Sequence, residues 1–576
     1  MNRTSRTLTM PCTALALAAM AASAAASDAT TRVSVDSAGG EGDAASGTGS
    51  RPAVSADGRH VAFASSATNL VANDSNGVDD VFVHDRQTGT TVRVSVSSAG
   101  VQANGASGGP ALSRDGRFVA FESVATNLVA IDTNLTADVF VHDRDPDANG
   151  IFDEGNGVTT RVSLRAGAVQ GNAASRRAAI SADGNLVAFA SDASNLVASD
   201  RNGVTDVFVR DRAASTTTRV SVDSAGIEGD GASDRPAISA DGAFVAFESL
   251  AANLVAGDLN GVADLFVRDR VNGTTTRASV DSSGAEANGA SRGPPSLSSD
   301  GSIVAFHSSA TNLVASDLNG VADVFVRDRA AGVTTRASVS SSGGEGNRDS
   351  RGAALSADGM QVAFESDADL LATGDGNQAS DAFVHDRATG KTWIVSSDCA
   401  GNPGNGASSG VALSGDGLIA AYASVASDLV AGDANGVSDV FVHDEAAEVD
   451  AGWRSYGAGY PGTLGIPALV AQNDPELGST LVLDIGNSLG LWTVGFLFAG
   501  LSEASLPTSL GGTFLLGDRV LTLPLPIAPA GSALAADLPR DEAVCGLYLY
   551  VQVLELDDGA TWGVSFTPGL ELLFGR

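Results

Sequence analysis

The sequence predicts an all-β protein: a seven-bladed β-propeller of four-stranded blades, closed by an N-terminal strand and followed by a β-sandwich. Three observations lead there. A Ser-x-Asp-Gly tetrapeptide recurs seven times, with glycine at 58, 116, 184, 242, 301, 359 and 417, at intervals of 58, 68, 58, 59, 58 and 58 residues. Each unit carries four short runs rich in Val, Phe, Thr and Ala between turn-forming residues. The period then vanishes near residue 445.

Residues 1–26 read as an export signal. Arg3 and Arg6 open it, Thr13 to Ala26 is a short apolar run, and Ala-x-Ala patterns end near Ala24 or Ala26. The expected product is secreted, either extracellular or periplasmic. No later segment reaches membrane-spanning length, and the most apolar, Leu489 to Leu501, is broken by glycine.

Residues 27–445 hold the repeats. In the first unit the strand candidates are Pro52–Ser55, His60–Ser65, Val81–His84 and Val92–Val96. The Asp57-Gly58 pair between the first two suits a two-residue hairpin turn, where both residues need positive φ. Phe63 and Phe82 sit among Val and Ala, as strands buried on both faces require. Four-stranded units repeated radially make a propeller. The outer-strand pattern TTRVSV appears first at Thr30–Val35, ahead of any complete unit, while the seventh unit runs out after Asp439–Asp444. The early strand is therefore expected to complete the seventh sheet and remove an exposed edge. Residues 446–576 contain strand-like runs at Thr480–Ile485, Val520–Pro524 and Gly546–Leu554, read as an antiparallel sandwich. Cys399 and Cys545 fall in different proposed domains, and no disulfide is expected between them.

The S-x-D-G turn, the Val-Ala-Phe strand after it, and the D-V-F-V-x-D strand with its Thr-Gly turn, as in Asp80–Gly89, resemble the TolB-type, WD-repeat-like propeller family. The resemblance spans residues 30–445 and implies a fold rather than an activity. TolB proteins join six blades to an N-terminal α/β domain, whereas this sequence shows seven units, so the resemblance does not imply a role in the Tol envelope system.

The formal net charge of −34 repels nucleic acid and anionic membranes and attracts cations, so no nucleic-acid partner is expected. The stretch NDSNGVDDVFVHDR at 73–86 has variants in every unit, with Asp, Asn and Asp at i, i+2 and i+6. The triplets are Asp74, Asn76, Asp80; Asp132, Asn134, Asp138; Asp200, Asn202, Asp206; and Asp258, Asn260, Asp264. They continue as Asp317, Asn319, Asp323; Asp375, Asn377, Asp381; and Asp433, Asn435, Asp439. Oxygen ligands at alternate loop positions are calcium chemistry, although three or four groups fall short of the six to eight that calcium takes. The same recurrence follows if Asp caps a turn and Asn-Gly supplies positive φ. An insertion in the second unit, DPDANGIFDE, sets Asp145, Asp147, Asn149, Ile151, Asp153 and Glu154 at EF-hand-like positions, with Asn156 in place of the bidentate Glu. Calcium is the cofactor expected there.

His84, His142, His385 and His443 share a repeat position that elsewhere holds Arg210, Arg268 and Arg327, and read as surface cations beside the following Asp. His307 breaks the repeat, standing where other units carry Glu122, Glu248, Glu365 or Ala. Ser46, Ser107 and Ser233 recur without a nucleophile motif, and no catalytic residue stands out. These readings favour a secreted, non-enzymatic binding protein, calcium-stabilised, that recognises protein, peptide or glycan on its loop face. The alternative is an extracellular polysaccharide hydrolase or lyase with a site in the funnel. A pocket near the axis that gathers non-repeating carboxylates, His or Arg separates the two.

Overall fold

The computed structural model describes residues 7–9, 30–372, 374–398, 401–445, 452–476, 479–510, 513–538 and 548–574. Among them every regular element is a β-strand. The chain divides into two compact units, one of residues 30–396 and 403–444, the other of residues 1–29, 397–402 and 445–576. Most of the expected signal at 1–26, and both Cys399 and Cys545, lie outside the described residues.

The larger unit is propeller-like. It holds seven four-stranded antiparallel sheets, each built from consecutive strands in order except the last. In the fourth they are Ser233–Ile238, Phe244–Ser249, Asp264–Asp269 and Thr274–Arg277. The last sheet takes its outer strand from the far end of the chain: Thr30 pairs with His443 and Arg32 with Phe441. The seventh edge is therefore covered, as edge strands require.

Period-2 alternation fails in the two middle strands because both faces are buried. His60–Ser65 and Asp80–Asp85 are buried along their whole length. An aromatic ring of each second strand, Phe in six sheets and Tyr422 in the seventh, packs on a third-strand Phe, as Phe63 does on Phe82 with ring centres 6.0 Å apart. Seven apolar clusters each span two adjacent sheets, and one of them joins Val61, Phe63 and Phe82 to Ile419, Val440 and Val442, so the first sheet packs on the seventh. Full burial of each such side chain contributes about 1.5–3 kcal/mol.

Backbone hydrogen bonds close the same circuit. The N–H of Ala56 donates to Arg114 O, Arg114 to Ala182 O, Ala182 to Ala240 O, and Ala240 to Ser299 O. Ser299 then donates to Ala357 O, Ala357 to Gly415 O, and Gly415 back to Ala56 O, all at 2.7–3.0 Å. The hairpin turn beside this ring packs tightly on the preceding sheet. Gly58 has φ 71°, and a Cβ there would lie 2.4 Å from Ile419 Cγ1.

Two predicted boundaries in the first sheet shift. The inner strand is Ala53–Val54 rather than Pro52–Ser55, and the outer strand is Thr90–Arg93 rather than Val92–Val96. Beyond Arg93 the regular ladder gives way: the Val94 N–H still donates to Val81 O at 2.9 Å, but the Val81 N–H goes to the Ser95 hydroxyl at 3.1 Å instead of a backbone carbonyl.

The second unit has two sheets around one apolar core that includes Leu481, Leu483, Leu497, Val553 and Leu570. One sheet runs Thr7–Thr9, Ser532–Asp537, Thr480–Ile485, Leu469–Ala471. The other runs Gly452–Tyr456, Gly569–Leu573, Tyr548–Leu556, Thr493–Pro507, Thr513–Ile527, with Val564–Phe566 on Tyr548–Leu556. The run expected at Val520–Pro524 is part of a 15-residue strand. Pro524 and Pro526 fit because that strand is at the sheet edge, where a missing N–H costs no rung.

Candidate functional site

The repeated acidic loops come first. In the opening stretch, Asn76 Nδ2 donates to Asp80 Oδ2 at 2.9 Å and to Ala103 O at 3.0 Å, while Asn76 Oδ1 accepts the Val78 N–H. Asp80 Oδ1 accepts the Ser95 hydroxyl at 2.5 Å. Asp80 and its six equivalents are fully buried. Each asparagine thus ties its own loop to the next one, and each third-position Asp anchors the outer strand.

A cation already stands in six of these loops. Arg93 of the outer strand lies 3.3 Å from Asp74 and 3.5 Å from Asp80. Arg161, Arg219, Arg277 and Arg336 do the same for Asp132 and Asp138, Asp200 and Asp206, Asp258 and Asp264, and Asp317 and Asp323. Arg32 serves Asp433 and Asp439. Four loops also bring in a glutamate: Glu345 pairs with Arg336 at 2.9 Å, and in the other three Glu41 with Asp433 and Asp439, Asp200 and Asp206 with Glu228, and Asp258 and Asp264 with Glu286 have oxygens within 4.8 Å of one another. Such acidic clusters could bind a metal. Three carboxylates around one guanidinium leave excess negative charge, and burial pushes Asp258 and Asp433 up to about 6 even though Arg277 and Arg32 draw them down.

The sixth loop differs. Ile394 pairs with Phe383 where Arg93 pairs with Phe82, so no arginine is present at that position. Pro403, which precedes the Gly404 carbonyl bonded by Asn377, takes the place that Glu228 has before Gly229. The cation and the extra carboxylate are lost together. Burial then pushes both Asp375 and Asp381 up to about 6.

The insertion is organised by arginine as well. Arg144 is buried and donates to Asp153 from Nε and Nη2 and to Gly116 O at 2.8 Å. Its guanidinium lies 4.9 Å over the Phe152 ring, and Phe152 in turn lies 5.3 Å from the His60 ring. Asp145 accepts the N–H groups of Asn149 and Gly150, both at 3.0 Å. Asn149 accepts the Ile151 N–H and donates to Glu154 at 2.7 Å and Asp147 at 3.3 Å. Asp145, Asp147, Asn149 and Glu154 therefore share one loop, while Asp153 is engaged by Arg144. His60, beneath Phe152, is kept neutral by burial and by Arg144, which push it down to about 4.

The four histidines read as surface cations are buried instead. His84, His142 and His385 each meet a threonine hydroxyl through Nδ1 at 2.8–2.9 Å. Those threonines, Thr91, Thr159 and Thr392, donate their own proton to a carbonyl of the preceding sheet at 2.5 Å. The histidine must then supply the N–H. Arg268 and Arg327 supply the same N–H to Thr275 and Thr334, which explains why His and Arg interchange here. Ser46, Ser107 and Ser233 are buried too, each hydrogen-bonded to a second-strand serine at 2.8–2.9 Å.

The two ends of the axis differ. At the turn end, a cavity of ~250 Å³ is lined by aliphatic residues of all seven inner strands, Val54, Leu112, Ile180, Ile238, Leu297, Leu355 and Leu413, and Arg114 is the charged residue among its lining. At the loop end, the inner strands bulge, and the bulge residue has positive φ in six of the seven sheets. Four of these are Gly109, Gly293, Gly352 and Gly410, but the other two are Arg177 (φ 56°) and Arg235 (φ 51°). A side chain in this region costs about 1–2 kcal/mol, which marks both arginines as retained against local preference. Arg51 stands at the matching place in the first sheet and reaches the sixth, donating to Gly352 O at 2.7 Å and Ala353 O at 3.2 Å.

Carboxylates answer these cations. Glu122, Glu248 and Glu365 accept the bulge N–H of the next sheet, from Arg177, Gly293 and Gly410, at 2.7–2.9 Å. Arg177 pairs with Asp234, Arg235 with Glu248, and Arg351 with both Glu365 and Asp367. Burial, reinforced by Arg235, Arg351 and Arg51, pushes His307 down to about 4. This mouth gathers non-repeating Arg, Glu and His groups, and sequence reasoning found only His307 and the glutamates. The signal it passed over was the repeat column of Gly109, which holds Arg51, Arg177 and Arg235 in three units and glycine in the other four.

No protein-family pattern matches the chain, and no curated protein matches it in sequence. Among solved structures it is similar to TolB from Acinetobacter baumannii at 14% identity and a TM-score of 0.32, covering 58% of this chain and only 63% of that one. It is similar to an oligogalacturonate lyase from Vibrio parahaemolyticus at 11% identity and a TM-score of 0.43, covering 72% and 93%. A GH74 xyloglucanase from Xanthomonas campestris is similar at 10% identity and a TM-score of 0.36, covering 92% and 80%.

Proposed function

We propose that the chain is a secreted, non-enzymatic binding protein: a closed seven-bladed propeller with a β-sandwich attached, which captures a protein, peptide or glycan at the axial mouth on its loop face. The observation that carries this reading is the use made of each charged group there. Every glutamate of the mouth holds a backbone N–H of the next sheet, so the carboxylates act as structural acceptors rather than as free acids or bases. The arginines are the groups that vary from sheet to sheet. Arginine at a strained backbone position, where four other sheets carry glycine, fits a recognition role.

A second reading, hydrolysis or elimination on a polysaccharide, draws on one observation. His307 is neutral, and its Nδ1 is buried without a hydrogen-bond partner, as an unused base would be. Calcium stabilisation is carried forward for the insertion, through Asp145, Asp147, Asn149, Ile151 and Glu154. The repeated loops are read as closed by arginine, except the sixth. Among the described residues, no helix is long and apolar enough to cross a membrane.

The test is a glycan and peptide array probed with the full chain and with the double variant Arg177→Gly, Arg235→Gly. Both glycines are native at this position in other sheets, so folding should persist. The reading expects ligands that bind the wild type and are lost by the variant at unchanged melting temperature. Binding that ignores the variant, or release of new reducing ends from a bound polysaccharide, contradicts it.

A further inference from the structure

The loop-end mouth contains one arginine whose usual partners are both missing. Arg176, Arg292 and Arg351 occupy the same place in the third, fifth and sixth sheets, directly after the paired serine. Arg176 pairs with Asp192 at 2.8 Å, and Arg351 with Asp367 at 2.9 Å. In both cases the Asp directly follows the second strand, at Ser191 and Ser366. After Ser308 of the fifth sheet the matching residue is Ser309, which cannot take that part. Arg351 also faces Glu365 across the strand pair, where Arg292 faces His307.

Arg292 is therefore exposed without an acidic partner among the described residues, in a chain that carries 68 acidic against 34 basic side chains. It opens into a cleft of ~230 Å³ between the fourth and fifth sheets, shared with Asp234, Arg235, Glu248, Thr205 and Ser249. Asp234 and Glu248 are already matched by Arg177 and Arg235. Beside this cleft His307 presses its ring against Gly293, where a Cβ would lie 2.1 Å from Cε1, and its Nδ1 is buried with no hydrogen-bond partner. The cleft thus holds one uncompensated positive charge.

We propose that this cleft binds a carboxylate group of the ligand, received by the Arg292 guanidinium. The planar guanidinium fork matches a carboxylate's two oxygens, and the exchange supplies the counter-charge that Asp192 and Asp367 give its equivalents. The assignment rests on the mouth being the recognition site, and names the chemistry it selects. Whether the carboxylate comes from an acidic side chain or a uronate sugar is decided by the probes.

Calorimetric titration of the full chain tests it with a triglutamate peptide, a uronate trisaccharide and the methyl ester of each, at one ionic strength. At least one carboxylated probe should bind, its ester should not, and Arg292→Ser should weaken the binding about tenfold or more. Serine is native at this position in the seventh sheet, as Ser409, so the fold is not at risk. Arg59→Ser, which removes a paired arginine at the turn end, should leave binding within a few-fold. Failure of both carboxylated probes, equal binding of the esters, or unchanged binding by Arg292→Ser overturns the proposal. If neutral ligands still bind and are lost only with Arg177→Gly, Arg235→Gly, the mouth remains the recognition site and the carboxylate assignment alone falls.

Discussion

Asp375→Asn acts on the one acidic loop of the seven whose outer strand carries no arginine, only Arg348 acting on it from elsewhere. Burial, with Asp381 and Asp369 nearby, raises Asp375 from the ordinary 3.8 to about 6. Because its pKa is higher folded than unfolded, the folded protein binds more protons than the unfolded chain between pH ~4 and ~6. Stability therefore rises as pH falls through 6 and levels off below ~4. At pH 8 the carboxylate is ionised in both states, and the rise from 3.8 to about 6 corresponds to about 3 kcal/mol. Solvent screening at this half-buried position reduces that to about 1–2 kcal/mol. Asparagine removes the charge, so the variant should be more stable by about 1–2 kcal/mol at pH 8 and indistinguishable from wild type at pH 4. The opposite sign is expected one repeat type away. Asp132 accepts Gln170 Nε2 at 2.8 Å and lies 3.3 Å from the largely buried Arg161, so Asp132→Asn should cost about 1–3 kcal/mol at pH 8. Urea denaturation in the presence of chelator, followed by the fluorescence of Trp393 in the same sheet, reads both midpoints. A destabilised Asp375→Asn at pH 8, or a gain of equal size at pH 4 and 8, would refute the account of this loop.

Three further outcomes follow from the packing. Arg32→Met leaves Asp433, Glu41 and the fully buried Asp439 without their cation, and should destabilise the larger unit by about 3–5 kcal/mol in a chemical melt, because an uncompensated buried charge remains. Thr275→Val removes the hydroxyl that accepts from Arg268 at 3.0 Å and donates to Val222 O at 2.5 Å; a loss of about 1–3 kcal/mol is expected, and an unchanged melting midpoint would show that these inter-sheet links are dispensable. For the insertion, calcium should raise the melting temperature and Asp147→Ala should abolish that rise. No shift with either chelator or substitution removes a stabilising role for metal there.

The repeat was legible because its turn demands particular residues at fixed spacing: Gly58 needs positive φ beside Ile419, and Phe63 needs Phe82. The pairing of Thr30–Arg32 with Asp439–Asp444 was legible for the same reason, since TTRVSV recurs as an outer strand. What could not be read was anything set by contacts between units. The acidic triplets looked metal-like because their cation, Arg93 or its equivalent, comes from the outer strand, 13 residues after the buried Asp in four sheets, 23 in the second and at the far end of the chain in the seventh. The histidines looked exposed because the threonine and the neighbouring carbonyl that cover them belong to another strand and another sheet. At the mouth, the charge-bearing columns lie on a bulge, where alternation of side chains breaks down. Arg292 is legible only after Ser309 and His307 are set beside Asp367 and Glu365.

Hydrogen–deuterium exchange of the full chain, with and without a ligand selected from the array, tests recognition at the mouth most directly. Binding should slow exchange at the starts of the inner strands, at Ser175–Arg177, Ser233–Arg235 and Ser291–Gly293, and leave the turns at Gly58, Gly116 and Gly184 unchanged. Protection confined to those turns, or to the strands between residues 452 and 574, would contradict it.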